Sequence, residues 1–367
     1  MKIECIKERL GEAVNRAEKI AQKNPTLPAL AGLYMKAENN ILSIRATNLD
    51  LGLSMTVPVK VIEPGEFVVP AQILNSLLSS LQKEKSITLE LVGQSLVVKT
   101  DSTDATIKTL PVEDFPIIPL IEDDEAFKMP AKDLVLGLRS VMYAAAIGSM
   151  KPELSSIYLT YDGEVLVFAA TDSFRLAEKR IKVKGLPHFK YILIPQKNAS
   201  EIVRIFDSVD DDISISIKDN QAAFLGGGVY LTSRIIDGVF PDYKQIIPKE
   251  TVSTATVLKQ DLANSLKTSL IFSDAFNQLN FSLSPSKKLF EIESKNSNIG
   301  ANTYAVPAVI EGEEISINVN HKYFTDCFQA IPADTLHIKF TGQARPILIE
   351  GAGDKTFMYL VMPMNRS

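Results

Sequence analysis

Two cysteines in 367 residues, Cys5 and Cys327, stand near opposite ends of the chain with no Cys-x-x-Cys spacing. The three histidines, His188, His321 and His337, form no ligand-spaced group. A disulfide framework or a structural metal therefore lacks its ligands, and buried, reduced thiols are expected. No stretch approaches the ~18 to 20 uncharged residues of a membrane span. Residues 1–23 carry Lys2, Glu4, Lys7, Glu8, Arg9 and Glu12 where a signal peptide needs an unbroken apolar core. The expectation is a soluble, cytoplasmic chain with no membrane partner. An excess of positive charge is also missing: 39 Lys and Arg face 44 Asp and Glu, a net charge of −5. Proteins that grip nucleic acid by neutralising many phosphates are usually basic, so tight electrostatic binding by the whole surface is excluded.

Catalytic signatures are missing as well. There is no GxxxxGK[ST], GxSxG or HExxH, and the glycine run Gly226-Gly227-Gly228 leads into the strand-like Val229-Tyr230-Leu231-Thr232, not into a helix that could hold phosphate. Asp210-Asp211-Asp212 lacks the following Gly and Glu of a calcium loop and reads as a solvated loop. The expectation is a protein that is not an enzyme, with no catalytic residues, no metal and no cofactor.

What is present is ordinary globular material: 46% hydrophobic and 23% charged residues, in a length that suits two or three domains. A repeat with a period near 125 residues organises it. Leu10 with Val14, Leu134 with Leu138, and Leu262 with Leu266 each follow a polar start and lie four apart, on one helical face. Pro70-Ala71-Gln72, Pro195-Gln196-Lys197 and Asn320-His321-Lys322 stand 125 residues apart. Each follows a short run (Phe67 to Val69, Ile192 to Ile194, Ile317 to Val319) and precedes apolar residues at matching offsets: Leu77, Leu78 and Leu81; Ile202, Val203 and Phe206; Cys327, Phe328 and Ile331. This reads as strand, then amphipathic helix. Alternation follows in Ile87 to Leu91, Ile213 to Ile217 and Leu336 to Phe340, which predicts half-buried strands. Each block is then expected to close on an apolar, Pro-bearing strand end: Thr109 to Pro116, Ile235 to Pro241 and Tyr359 to Pro363.

The predicted fold class is α+β, three repeated domains each with two helices packed on antiparallel sheets. Connectors at Pro119 to Glu125 and Pro248 to Thr254 place the domains at 1–123, 124–250 and 251–367. Two helices starting about 60 residues apart in each domain suggest a half-domain subrepeat, six similar units in all.

The most unusual local stretch is Ala169 to Ala177, Ala-Ala-Thr-Asp-Ser-Phe-Arg-Leu-Ala. Asp172 and Arg175 could form an interdomain active-site pair, or Thr171 and Asp172 could bond backbone amides in a turn while Arg175 packs its stem. The ending, Tyr359 to Met364, is too apolar for a free tail and suggests a docked strand beside a site.

Ala170 to Ala177 resembles the ATDxxRLA motif of the bacterial sliding clamp family, the beta subunits of DNA polymerase III. Gly238-Val239-Phe240-Pro241-Asp242-Tyr243, Pro25-Thr26-Leu27-Pro28 and the ending Val361-Met362-Pro363-Met364 resemble the same family, in order, over the whole chain. The resemblance implies a non-catalytic processivity factor. Two copies would form a head-to-tail dimeric ring of six similar domains, helices lining a hole through which double-stranded DNA passes without regard to sequence. It also implies partners: the DNA polymerase III alpha subunit, an ATP-driven clamp loader, and other DNA polymerases and repair proteins that dock through short linear motifs. Their cleft, between the second and third domains, would use Leu154, Thr171, Ser173, Phe174, Arg175, Leu176, Pro241, Ile246, Asn320, Tyr323, Val361, Met362, Pro363 and Met364, with Phe276 beside it. The apolar members suit a Leu or Phe anchor, and Thr171 and Arg175 are expected to orient a peptide backbone. Methionines let one pocket take several sequences. Ser173-Phe174 stands where Gly-His is common in the family, which should make the rim more apolar and narrower; Gln245 replaces a basic residue of some members. Ile107, with Ile271 and Phe272, would occupy the dimer interface. Two other readings remain: a cytoplasmic enzyme with an interdomain site around Asp172 and Arg175, and an adaptor that never encircles DNA.

The six helical segments, 7–23, 70–83, 130–147, 195–206, 258–272 and 320–331, sum to +6, so everything outside them sums to −11. That segregation suits a DNA-facing inner wall with an acidic exterior. The candidate phosphate-facing residues are Arg9, Arg16, Lys19, Lys132, Arg139, Lys197, Arg204 and Lys267.

Overall fold

A computed structural model describes residues 1–23, 25–121, 126–148, 150–186, 189 and 191–364. The boundary expected at 123/124, His188 and the tail beyond Met364 lie outside the described residues. The helices are α1 (Lys7–Glu18), α2 (Ala71–Ser80), α3 (Ala131–Val141), α4 (Gln196–Phe206), α5 (Lys259–Leu270) and α6 (His321–Thr325). α1 buries Leu10, Ala13, Val14 and Ala17, the three-and-four spacing of one face, with Glu8 in its first turn and Arg16 in its last, both favourable to the helix dipole. α6 makes a single turn and continues as the 3₁₀ turn Asp326–Gln329.

The chain divides into two compact units. One comprises residues 1–135 and 200–235, the other 136–199 and 236–367, so the division passes through α3 and α4. In the first unit an eight-stranded antiparallel sheet combines strands Phe127–Pro130, Asp212–Lys218, Gln221–Gly226 and Val229–Arg234 of the second repeat with Leu51–Pro58, Ile41–Thr47, Gly32–Glu38 and Gly65–Pro70 of the first. The join is the pairing of Val229–Arg234 with Leu51–Pro58. A five-stranded sheet completes this unit and ends on strand Asp104–Lys108.

The second unit repeats the plan. Its nine-stranded sheet joins second-repeat strands Ile192–Pro195, Ser156–Tyr161, Val165–Thr171 and Arg175–Lys182 to third-repeat strands Phe357–Val361, Ile347–Gly351, Thr335–Phe340, Ser253–Leu258 and Ala308–Gly312. The join is Arg175–Lys182 against Phe357–Val361. A four-stranded sheet ends on strand Gly300–Val306. The strands predicted from alternation form at Ser86–Val92, Asp212–Lys218 and Thr335–Phe340, each burying alternate residues.

The expected closing strands differ. Only Phe357–Val361 is a strand; Ile235 to Pro241 is irregular, and Thr109 to Pro116 makes one isolated bridge, Leu110 to Val68. Pro111, Pro116 and Pro241 have no N–H to give a ladder, which ends extended pairing at those points. Among the described residues no helix is long and apolar enough to cross a membrane. Cys5 and Cys327 are buried and free, and burial pushes the Cys5 thiol pKa up to about 12, so both stay protonated.

Candidate functional site

The second unit carries a polar turn beside an apolar cleft. Strands Val165–Thr171 and Arg175–Lys182 pair so that Thr171 faces Leu176, leaving Asp172 to Phe174 as the loop. Thr171 Oγ1 donates to the Arg175 carbonyl at 2.6 Å and accepts from Ser173 N at 3.2 Å. Asp172 Oδ1 accepts from Phe174 N and Arg175 N, both at 3.0 Å. The turn needs a left-handed residue in its middle, and Ser173 supplies it at φ 77°.

Arg175 is fixed from three sides. Its Nε donates to Asp172 Oδ2 at 2.9 Å, its Nη1 donates to Asp326 Oδ2, and its guanidinium carbon lies 4.7 Å from the centre of the Tyr323 ring. Burial works against the Arg175 charge, but Tyr359, Asp326 and Asp172 outweigh it and hold the guanidinium pKa above its ordinary value. The structure therefore takes the turn reading of this motif: Thr171 and Arg175, both 6% exposed, spend their polar groups inside the protein. The peptide-orienting contacts expected from these two side chains are already committed. Asp326, which closes the arrangement from the segment after α6, gave no signal in the sequence, because it lies 151 residues from Arg175.

The tail builds the cleft. Val361 pairs with Arg175, Met362 N donates to the Phe174 carbonyl at 2.8 Å, and Met364 N donates to the Asn318 carbonyl at 2.8 Å. Pro363, between them, has no N–H to offer. Phe174, 58% exposed, stacks on Tyr323 with ring centres 6.2 Å apart and planes at 16°. Phe174, Asn320, Tyr323, Met362, Pro363 and Met364 together line a cleft of about 290 Å³. Asn320 caps α6 through Tyr323 N and donates its amide to the carbonyl of Phe276, which is 70% exposed at the same edge.

The remaining candidates sit lower or to one side. Leu176 and Val361 are fully buried, and Leu176 belongs to a core with Leu193, Phe240, Tyr243 and Leu360 against which Met362 packs. Leu154 is buried in a separate turn, its carbonyl bonded to Ala146 N at 2.8 Å. Pro241 and Ile246 are exposed on the segment that carries Phe240 and Tyr243 into that core.

Family models for the N-terminal, central and C-terminal domains of the DNA polymerase III beta subunit match residues 1–119, 128–242 and 244–365. The chain belongs to the bacterial sliding clamp family. It is 27% identical to the beta sliding clamp of Synechococcus elongatus and 26% identical to that of Bacillus subtilis, each match covering 99% of both chains. The crystal structure of the Bacillus subtilis DNA polymerase sliding clamp superposes with a TM-score of 0.93 over 100% of both chains, at 26% identity. The protein is thus a DNA polymerase III beta-type processivity factor with three clamp domains, and its role is in DNA replication.

The other candidates of this sliding clamp chain fall as follows. Ile107 is buried on the terminal strand Asp104–Lys108. Ile271, 64% exposed, follows α5, and the Phe272 ring lies beside Gly300 of strand Gly300–Val306, where a Cβ added to the glycine would meet it at 3.9 Å. Ile299, 62% exposed, stands directly before that strand. Of the basic candidates, Arg9, Lys19, Lys132, Arg139, Lys197, Arg204 and Lys267 are exposed and Arg16 is half-buried. Arg16 donates to Ser208 Oγ at 3.2 Å, Lys19 pairs with Glu18 at 3.3 Å, Arg204 pairs with Glu201, and Arg139 is also engaged. Arg9 and Arg16 line one small cavity of about 180 Å³ with the Gly227–Gly228 turn. Within the helices as they form, the net charge is +4, because three lysines, Lys19, Lys23 and Lys83, and one acid, Asp326, lie just past the helix ends.

Proposed function

We propose that two copies of this chain, each divided at about 123 and 250 into three domains, close head to tail into a ring. Helices would line the hole and double-stranded DNA would pass through it. One observation carries this reading: the two smaller sheets, in the first and third repeats, end on strands with no further partner among the described residues, Asp104–Lys108 and Gly300–Val306. Exposed, unpaired edges are ready to pair with another chain, and one at each end of a three-repeat chain suits head-to-tail closure. Ile107, Ile271 and Phe272, with Ile299, would supply the apolar contacts at the joint.

A closed ring stays on DNA by topology, so weak, sequence-indifferent contacts from Arg9, Arg16, Lys19, Lys132, Arg139, Lys197, Arg204 and Lys267 suffice and allow sliding. This resolves the net charge of −5: enclosure, not net attraction, retains the DNA. Partners would dock by short linear motifs in the cleft at Phe174, Tyr323 and Met362 to Met364, above a floor of Leu176 and Val361. Leu154, Ser173, Pro241, Ile246 and Asn320 would border it, and Thr171 and Arg175 would hold its shape. The replicative polymerase, the clamp loader and other polymerases and repair proteins would occupy it in turn. Tethering makes rebinding of the polymerase intramolecular, at an effective concentration on the order of mM.

The test is topological. Loaded by a clamp loader onto nicked circular DNA, the protein should remain bound, and cutting the circle should release it. Equal loss from circular and linear DNA would refute the ring and favour an adaptor. For the cleft, Met362→Ala should weaken binding of a partner peptide while the dimer stays assembled; unchanged peptide affinity would remove the cleft from the proposal.

A further inference from the structure

The turn that builds the cleft is duplicated in the first unit. Strands Ile41–Thr47 and Leu51–Pro58 pair so that Thr47 faces Gly52, as Thr171 faces Leu176. Thr47 Oγ1 donates to the Leu51 carbonyl at 2.8 Å and accepts from Leu49 N at 3.1 Å. Asn48 Oδ1 accepts from Asp50 N at 3.0 Å and Leu51 N at 2.7 Å. These are the bonds of Thr171 and Asp172, one for one. The left-handed residue recurs too, Leu49 at φ 75° against Ser173 at φ 77°. So does the attachment of the third strand: Arg234 N donates to the Asp50 carbonyl at 2.8 Å, as Met362 N does to Phe174.

This second frame also faces a groove, about 740 Å³ in volume, bounded by the turn, the segment Pro116 to Ile121 and the hairpin at Lys218 and Asp219. Three aliphatic side chains stand open at it, Leu49 (57% exposed), Ile117 (92%) and Leu120 (71%). Leucine is a poor choice for a left-handed turn position, and the Ser173 turn makes the same bonds without one. The rim chemistry differs from the cleft. Asp50 stands in the place of Phe174 and Arg234 in the place of Met362, with exposed Lys218 and Asp219 on the facing hairpin.

We infer that this groove is a second docking site for an extended protein segment, one that carries an aliphatic side chain between an acidic and a basic residue. The aliphatic anchor meets Leu49, Ile117 and Leu120. Its flanking charges meet the exposed Lys218 and Asp219 of the facing hairpin, a complement that the apolar rim of Phe174 and Met362 does not offer. The inference rests on the cleft reading in treating this frame as one that presents peptide-binding side chains.

The test uses the full chain with isoleucine methyl labels and the probe peptide acetyl-Gly-Glu-Leu-Lys-Gly-amide, titrated to millimolar concentration. Ile117, Ile118 and Ile121 report on the groove and Ile246 on the cleft, so the two sites read separately. Saturable shifts at the groove methyls, without shifts at Ile246, are the expected result. Leu49→Gly suits the positive φ, so it should leave the melting temperature undiminished while weakening the peptide about fivefold, the loss of one apolar contact. Shifts confined to Ile246, no shifts at all, or equal affinity for Leu49→Gly would overturn the inference. Met362→Ala lies outside the groove, so its effect on cleft peptides tests the cleft reading alone.

Discussion

Replacing Asp326 with Ala should destabilise the second unit by about 2 kcal/mol, the lower part of the range for one charge-assisted hydrogen bond. The structure sets that figure. Arg175 is 6% exposed and its guanidinium is shared by two carboxylates, so removing Asp326 leaves it paired with Asp172 at 2.9 Å and not orphaned. The ~3 to 5 kcal/mol cost of stripping a buried charge of its only partner therefore does not apply. The Asp326 side chain is 26% exposed, which lets water replace part of what is lost. For a unit of this size, 1 kcal/mol moves the melting temperature by roughly 2 to 4 °C, so a drop of about 4 to 8 °C is expected by calorimetry. A cycle with Arg175→Met separates pair from context: the two changes should be less than additive, with a coupling of about 1 to 2 kcal/mol. Additive effects, or a loss below about 0.5 kcal/mol for Asp326→Ala, would refute the view that this ion pair ties the segment after α6 to the cleft turn. A second readout belongs to function. Arg175 also lies over Tyr323, so Asp326→Ala should loosen the ring that lines the cleft and weaken peptide binding.

Ser173→Gly should raise stability by about 1 kcal/mol, since glycine takes φ 77° without a Cβ penalty, and an unchanged or lower melting temperature would count against strain at this turn. Ile271→Ala with Phe272→Ala should shift the proposed dimer toward monomer in sedimentation; an unchanged mass would sink their place in the joint. His321 supplies a pH test: its Nε2 is buried without a hydrogen-bond partner among the described residues, and burial holds its pKa below the ordinary value despite opposition from the Leu266 backbone and Asp326. The unfolded chain takes up this proton first, near pH 6.5, so the contribution is present above that pH and lost as pH falls toward the folded value. The melting temperature should fall as pH drops below about 6.5, and His321→Gln should flatten that slope; an identical slope in the variant would assign the loss to other groups.

Much of the fold was legible because local rules and the repeat agreed. Leu10 with Val14, and Leu262 with Leu266, lie four apart, and each pair is buried on the face its spacing indicated. The alternation at Ile87, Ile213 and Leu336 became strands because period two buries one face whichever neighbour the strand finds. Where proline intervened, at Pro111, Pro116 and Pro241, apolar composition suggested strand and the missing N–H groups prevented it.

The tail was read as a docked strand from its apolar residues, Tyr359 to Met364, and strand Phe357–Val361 does dock, against Arg175–Lys182. Residue spacing alone did not say what that strand docks beside; only the family resemblance put Val361 to Met364 next to Thr171 to Leu176. Asp326 meets Arg175 across 151 residues of chain, and Arg175 turned inward to two carboxylates and a tyrosine face instead of outward. The duplication of the Thr171 turn at Thr47 was equally hidden, because its sequence, Thr-Asn-Leu-Asp-Leu against Thr-Asp-Ser-Phe-Arg, shares little beyond a hydroxyl and a side-chain carbonyl oxygen.

By itself, then, the sequence determined three repeats, six helices, the alternating strands and membership of a family, since each depends on spacing along one segment or on motifs in order. Tertiary structure alone decided that sheets run across repeat boundaries, through Val229–Arg234 against Leu51–Pro58 and Arg175–Lys182 against Phe357–Val361. It also decided which polar side chains are already bonded and which apolar ones remain open. Those outcomes depend on which distant segments share a hydrogen-bond ladder, and periodicity carries no record of a strand's partner.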